Sequence, residues 1–234
     1  MSLSVATWPD VARDGLVLVP VGSLEQHGPH LPLDTDTVIA SAVADGLGAA
    51  LDVPVAPPLA YGSSGEHQSF AGTISIGTEA LRLVVVELVR SLRTWADRVV
   101  LVNAHGGNIG ALTAAVAQLR AEGHDVAWAA CATETVDLHA GRTETSLMLH
   151  LDPARVLTQL AEVGDTRPLE EILPLLIAGG VGAVSPNGVL GDPTGATAEE
   201  GADVLAAMTA EIFDLIRTGT VDPHGRLRPG VVSG

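Results

Sequence analysis

Six side chains in this sequence have the types and spacing that bind divalent metal ions and move protons. Glu25 and His27 stand two residues apart, and Asp36 follows in the same Gly- and Pro-rich stretch, V-P-V-G-S-L-E-Q-H-G-P-H-L-P-L-D-T-D-T. His105 lies in N-A-H-G-G-N, and His139 and Glu144 share H-A-G-R-T-E. In extended backbone, residues two apart point the same way, so Glu25 and His27 can face one ion. Imidazole mixed with carboxylate suits zinc, manganese or iron. Two ions sharing one bridging carboxylate need roughly five protein ligands, and Glu25, His27, Asp36, His105 and Glu144 supply them. Their three carboxylates would offset three of the four positive charges of two divalent ions, which leaves room for a bridging hydroxide.

Each of these residues also has a plainer reading. Asp36 alone reads as a helix N-cap; beside Glu25 and His27 it reads as a ligand. A strand-to-helix turn explains Gly106, Gly107 and Asn108 but not a histidine at 105. Glu144 opens an apolar helix and would complement its dipole there. It also lies close enough to His139 for both to reach one cavity. His139 is the candidate proton carrier.

The elements that must position these groups follow from hydrophobic periodicity. Apolar runs predict strands at Leu16 to Val21, Val53 to Pro58, Arg98 to Val102 and Val126 to Ala132, the second weakened by its prolines. Helical spacing predicts helices over Thr37 to Leu51, Thr78 to Trp95, Ile109 to Glu122, Ser146 to His150 and Ala196 to Arg217. Asp36 and Thr78 are placed to cap the first two. From Leu157 to Gly191 the pattern is loose, and the last dozen residues read as a tail. Strands alternating with helices predict an α/β fold, a three-layer α/β/α sandwich with a mainly parallel central sheet, in one domain over residues 1–234. The polar clusters after Val21, Val102 and Ala132 all fall at the carboxyl ends of strands, where such sheets bind ligands.

Composition narrows the chemistry. The formal net charge is -16, and all 12 basic residues are Arg. Without lysine there is no Schiff base, P-loop lysine or Ser-Lys dyad. The acidic balance argues against nucleic-acid and anionic-membrane partners. No apolar run approaches the ~20 residues of a membrane span. The N-terminal residues lack the basic and apolar regions of a signal peptide, so a cytoplasmic protein is expected. Cys131, the single cysteine, reads as a buried inert thiol in V-A-W-A-A-C-A.

The motifs G-S-L-E-Q-H-G-P-H-L-P-L-D-T-D, H-G-G-N and H-A-G-R-T-E-T-S resemble the creatininase (creatinine amidohydrolase) family over nearly the whole chain. Y-G-S-S-G-E-H-Q-S-F-A-G-T-I-S-I-G, H-A-G-R-T-E-T-S-L-M-L-H-L-D-P and S-P-N-G-V-L-G-D-P-T-G-A-T are most similar to its peptidase branch. The resemblance implies two divalent metal ions per chain, with Asp36 as bridge, Glu25 and His105 on one ion and His27 on the other. His139 matches the catalytic histidine. Creatininases proper carry a Glu ligand where this chain has Gly107; this points away from creatinine and leaves Glu144 to supply the missing ligand. The implied reaction is attack of a metal-bridging hydroxide on an amide. By resemblance to the peptidase branch, that amide lies near the C-terminus of a radical-modified precursor peptide, and its cleavage releases a Val-Tyr dipeptide. The resemblance also implies a ring-like homo-oligomer, a hexamer.

Three further residues are expected near substrate. Glu66 and His67 line either the pocket or a subunit contact. Arg142 either pairs with the terminal carboxylate of the peptide or is a surface or intersubunit residue. His30 is expected to hold Glu25 or Asp34, and Asp34 to serve a turn. Two other readings compete: an amidohydrolase of a small cyclic amide or a formamide, and a non-catalytic, metal-stabilised binding protein.

Overall fold

The structure, a computed structural model, describes residues 1–132 and 137–230. Three strands, β1 (Leu16–Val21), β2 (Arg98–Asn103) and β3 (Val126–Ala130), form a parallel sheet in the order β1-β2-β3. Val19 stands opposite Leu101, and Leu101 opposite Trp128. Their near-continuous apolar sequences are what a sheet covered on both faces requires.

Alternation along each strand divides the core in two. Leu18, Val100, Val102, Ala127 and Ala129 pack with α1 (Thr35–Leu51) and α7 (Ala198–Thr218) on one face. Val19, Val21, Val99, Leu101, Val126 and Trp128 pack with α2 (Thr78–Leu92) and α3 (Ile109–Ala121) on the other. The result is the expected three-layer α/β/α sandwich.

The strand expected at Val53 to Pro58 is reduced to single parallel bridges, Val55 with Leu18 and Leu59 with Val21. Pro54, Pro57 and Pro58 lack the N–H groups that a longer ladder needs. The expected C-terminal tail instead contributes to a hairpin of β4 (Thr220–Val221) and β5 (Leu227–Arg228), and Arg226 bridges Trp128 at the far sheet edge.

From β1 the chain runs through α1 to the Val55 side of the sheet, then returns through α2 to β2. These two helices cover opposite faces, so the chain reverses between β1 and β2 and leaves a crevice at their carboxyl ends. The Glu25–Asp36 loop and the His105 turn both emerge there.

Several helix limits differ from expectation. α1 begins at Thr35, with Asp34 rather than Asp36 at the N-cap position; Asp36 therefore sits inside the first turn. α4 (Arg142–Leu151) starts ahead of Ser146 and includes Glu144 in its first turn. α5 (Leu169–Gly179) and α6 (Val181–Val184) occupy part of the segment expected to be loose. Pro174 inside α5 is what hides its helical signal.

α4 lies tightly on α7. A Cβ at the buried Gly201 of α7 would come 1.9 Å from the Ser146 carbonyl oxygen of α4. Gly201→Val should therefore destabilise the protein by about 1–3 kcal/mol, the usual range for overpacking. Urea unfolding checks this, and an unchanged midpoint would contradict the packing described.

Candidate metal centre

β1 delivers the first part of the cluster. After Val21 the chain passes Gly22, where a Cβ would meet the Thr37 backbone and hydroxyl at 2.4–2.6 Å; only glycine lets the loop lie so close to α1. The loop then folds on itself, with the Glu25 N–H donating to the Leu33 carbonyl and His27 bridging Leu31. The His27 Nδ1–H donates to the Glu25 carbonyl at 3.1 Å, which turns Nε2 towards Asp36 Oδ1 at 3.3 Å and Glu144 Oε2 at 3.9 Å.

Asp36 reaches the cluster from the first turn of α1. Its Oδ2 accepts from the Ser23 hydroxyl at 2.7 Å and lies 3.3 Å from His105 Nδ1. At the end of β2, Asn103 donates to the His105 carbonyl, and Asn108 ties Asn103 to the Gly22 carbonyl. His105 Nε2 lies 3.1 Å from Glu25 Oε2. A Cβ at Gly107 would sit 2.3 Å from the Ser63 carbonyl and 2.4 Å from His105 Nε2, so no side chain fits there with His105 as placed. Glu144 enters from α4, its Oε2 held at 2.6 Å by the Ala140 N–H.

These residues form two groups that meet at Asp36. Glu25, Asp36 and His105 bring ligand atoms within 4.8 Å of one another, and so do His27, Asp36 and Glu144. The two oxygens of Asp36 face different groups. Glu25, His27 and His139 form a third set. Among the described residues, no donor meets either buried carboxylate oxygen of Glu25 in hydrogen-bond geometry. A buried carboxylate in that condition carries a large desolvation cost unless a cation compensates it. Donor type, spacing and the orphaned oxygens therefore fit divalent metal.

The electrostatics describe the same strain. Burial pushes Glu25 and Glu144 up to about 7. Burial also works against the cationic form of His27, but Asp36, Glu144 and Glu25 outweigh it and raise that histidine to about 10. Asp36 is held well below the carboxylate range: His27, His105 and the Ser23 hydroxyl overcome its burial. Burial, with His27 and His67 nearby, holds His139 well below the usual imidazole value. Burial lowers His67 to about 3, helped by His105 and His27.

His139 and His67 complete the inner shell of the cavity. His139 Nε2 lies 2.8 Å from the Gln26 carbonyl, and its Nδ1 is 3.8 Å from Glu25 Oε1. His67 Nε2 lies 3.3 Å from the same oxygen. Gln26 links the two histidines, its amide nitrogen donating to His67 Nδ1 at 2.9 Å and to the Gly188 carbonyl at 3.0 Å. Sequence reasoning passed over Gln26 because period-two alternation turns it away from Glu25 and His27. Its partners arrive from residues 67 and 188, which no local pattern connects.

Other expected residues fall as follows. Glu66 is partly exposed, 3.6 Å from His105 Nε2. Arg142 lies outside the cavity, its guanidinium paired with Glu200 at 2.8 Å. His30 bonds Thr145 rather than Glu25 or Asp34, and Asp34 pairs with Arg155. Cys131, expected to be buried, is only partly so; desolvation and then Asp36 push its thiol up to about 12, which keeps it unreactive. The cluster floors a cavity of about 770 Å³, walled by Glu66, His67, Leu138 and α5.

A cation bound to the folded cluster stabilises it by mass action, about 2.7 kcal/mol at a hundredfold excess over Kd. Chelation should lower the thermal midpoint, and added zinc or manganese should restore it. Identical midpoints with and without metal would contradict a cation-dependent cluster.

Residues 4–216 match the creatininase family, described as creatinine amidohydrolase. The mycofactocin precursor peptide peptidase of Mycolicibacterium smegmatis (strain ATCC 700084 / mc(2)155) is 55% identical over 218 residues, covering 91% of this chain and 88% of its own. A solved structure titled creatininase Mn superposes with a TM-score of 0.77 at 26% identity, over 92% of this chain and 97% of that one. A creatininase variant of Zn-Zn type gives a TM-score of 0.77 at 26% identity, over 92% and 96%. The sequence match spans both halves of the cluster, from Glu25 to Glu144, and the fold is shared over nearly the whole chain: this protein belongs to the creatininase family of amidohydrolases.

Proposed function

We propose that this chain is a dinuclear metal-dependent peptidase that cleaves near the C-terminus of a modified mycofactocin precursor peptide and releases a Val-Tyr dipeptide. The observation that carries the reading is Asp36, shared by two carboxylate–imidazole groups at the floor of one cavity. The 55% identity to a relative of that name supports the substrate.

In this reading Glu25, Asp36 and His105 hold one ion and His27, Asp36 and Glu144 the other. Zinc, manganese and iron all suit the donor set. Glu144 takes the place of a ligand that cannot be carried at Gly107. When bound, the ions supply a nucleophile at neutral pH by lowering the pKa of water from 15.7 to about 7, and they polarise the amide carbonyl.

The chain's own residues do the rest. Burial keeps His139 neutral. With Nε2–H given to the Gln26 carbonyl, its Nδ1 lone pair faces the cluster. This tautomer is assigned from the hydrogen-bond partners. Nδ1 can take a proton from the attacking water and pass it to the leaving nitrogen. The Gln26 amide donates to His67 Nδ1, which puts the His67 proton on Nε2, 3.3 Å from Glu25 Oε1 but out of hydrogen-bond geometry. Glu66, beside His105 and open to the cavity, is placed to accept a substrate N–H. Arg142, engaged with Glu200, is left out of the substrate contacts.

A peptide is favoured over a small cyclic amide because the cavity, about 770 Å³, is larger than such a molecule fills, and over a formamide by the 55% identity to a peptidase. A purely metal-stabilised binding protein has no use for a neutral histidine aimed at the cluster.

The metal-loaded protein is to be incubated separately with modified precursor, creatinine and a formamide. Release of Val-Tyr from the precursor is expected; hydrolysis of none of the three, with metal still bound, would overturn the reading. His139→Ala should reduce kcat by roughly 10²–10⁴ without changing metal content. Glu144→Ala should lower the metal count from two per chain to one, and two retained would refute its role.

A further inference from the structure

The cavity above the cluster has one wall of a different character. α5 presents Leu169, Leu173 and Ile177, which are 42%, 43% and 78% exposed and four residues apart, so they share one helix face. Ile172, on another face of the helix, is fully buried and anchors it. Leu138 and Ile109, also about two-fifths exposed, line the same cavity. A contiguous open apolar surface beside convergent polar groups is the usual makeup of a ligand site.

The charges of the lining point the same way. Among the described residues that line the cavity, the ionisable side chains are the carboxylates of Glu25, Asp36, Glu66 and Glu144 and the imidazoles of His67, His105 and His139. No arginine lines it, and Arg142 is held by Glu200. Among the described residues the lining therefore offers no guanidinium fork of the kind that pairs with a terminal carboxylate away from the metal cluster.

We propose that the α5 wall is a side-chain subsite, and that it grips an apolar side chain flanking the scissile amide, so that substrate is recognised by that side chain rather than by a terminal carboxylate. This rests on the amidohydrolase reading above and names how that site selects its peptide. Leu173 and Ile177 form the contact surface, and Leu169 extends it towards the rim. The cavity falls within the ordinary range for ligand pockets, ~300–1,000 Å³, and takes the side chain with its flanking backbone.

The test measures binding of Val-Tyr and of its C-terminal amide to the metal-loaded protein by calorimetry, alongside cleavage of precursor carrying either end. Wild type should bind and cleave the acid and amide forms within about threefold of each other. Leu173→Ser and Ile177→Ser should each weaken binding and raise KM by about tenfold or more, the effect of losing one buried aliphatic contact, with kcat and metal content little changed. Leu175→Ser is the control, since Leu175 is 45% exposed on the same helix but outside the cavity; it should behave as wild type.

A loss of tenfold or more on amidation would overturn the proposal. So would wild-type binding by both wall variants, or an equal loss in Leu175→Ser. A fall in molecular mass of the Leu173→Ser protein in solution, with binding unchanged, would show that a second copy covers the wall and would also overturn it. Failure of the peptidase reading has a different signature: wild type binds the dipeptide through the wall yet hydrolyses no amide.

Discussion

Glu25 places a carboxylate in the interior where, among the described residues, neither oxygen receives a hydrogen bond. Around it stand two more carboxylates and four imidazoles, most of them buried. Protein groups alone do not settle this concentration of charge. The carboxyls of Glu25 and Glu144 are pushed towards protonation while His27 is pushed towards the cation. In the proposed reading, divalent cations would relieve the conflict by supplying positive charge where several lone pairs converge. The remaining architecture serves to hold those lone pairs together.

That holding is done by the sheet and by close backbone approaches. The chain reverses between β1 and β2, and the two strand ends bring Glu25 and His105 side by side although 80 residues separate them in sequence. Gly22 lets the first loop touch α1, which brings Asp36 between the two groups. Gly107 leaves space for Ser63 and His105. A Cβ at that glycine would meet the Ser63 carbonyl, His105 and Glu66, so the space beside His105 is already filled. Glu144 approaches the cluster from α4, where the Ala140 N–H holds its carboxylate.

Much of this was legible in the sequence because it depended on local rules. The runs Leu16–Val21 and Arg98–Asn103 read as buried strands from composition alone, and the polar clusters that follow them mark carboxyl ends. Glu25, His27, Asp36, His105, His139 and Glu144 stood out by residue type and came together as expected. What failed depended on partners distant in the chain or on masked periodicity. Asp36 was expected to cap α1, but the helix begins earlier and gives that position to Asp34. α5 was read as irregular because Pro174 interrupts it, although its apolar side chains wall the cavity. Gln26 attracted no attention because its two histidine partners lie 41 and 113 residues away. Arg142 suited a carboxylate by its chemistry, and it has one in Glu200.

In the proposed reading one carboxylate, Asp36, joins two metal positions in this chain. Anomalous diffraction from crystals of the zinc- or manganese-loaded protein tests it most directly. Two peaks per chain are predicted, both within coordination distance of Asp36, one beside Glu25 and His105 and the other beside His27 and Glu144. A single peak, or two that do not share Asp36, would contradict the account.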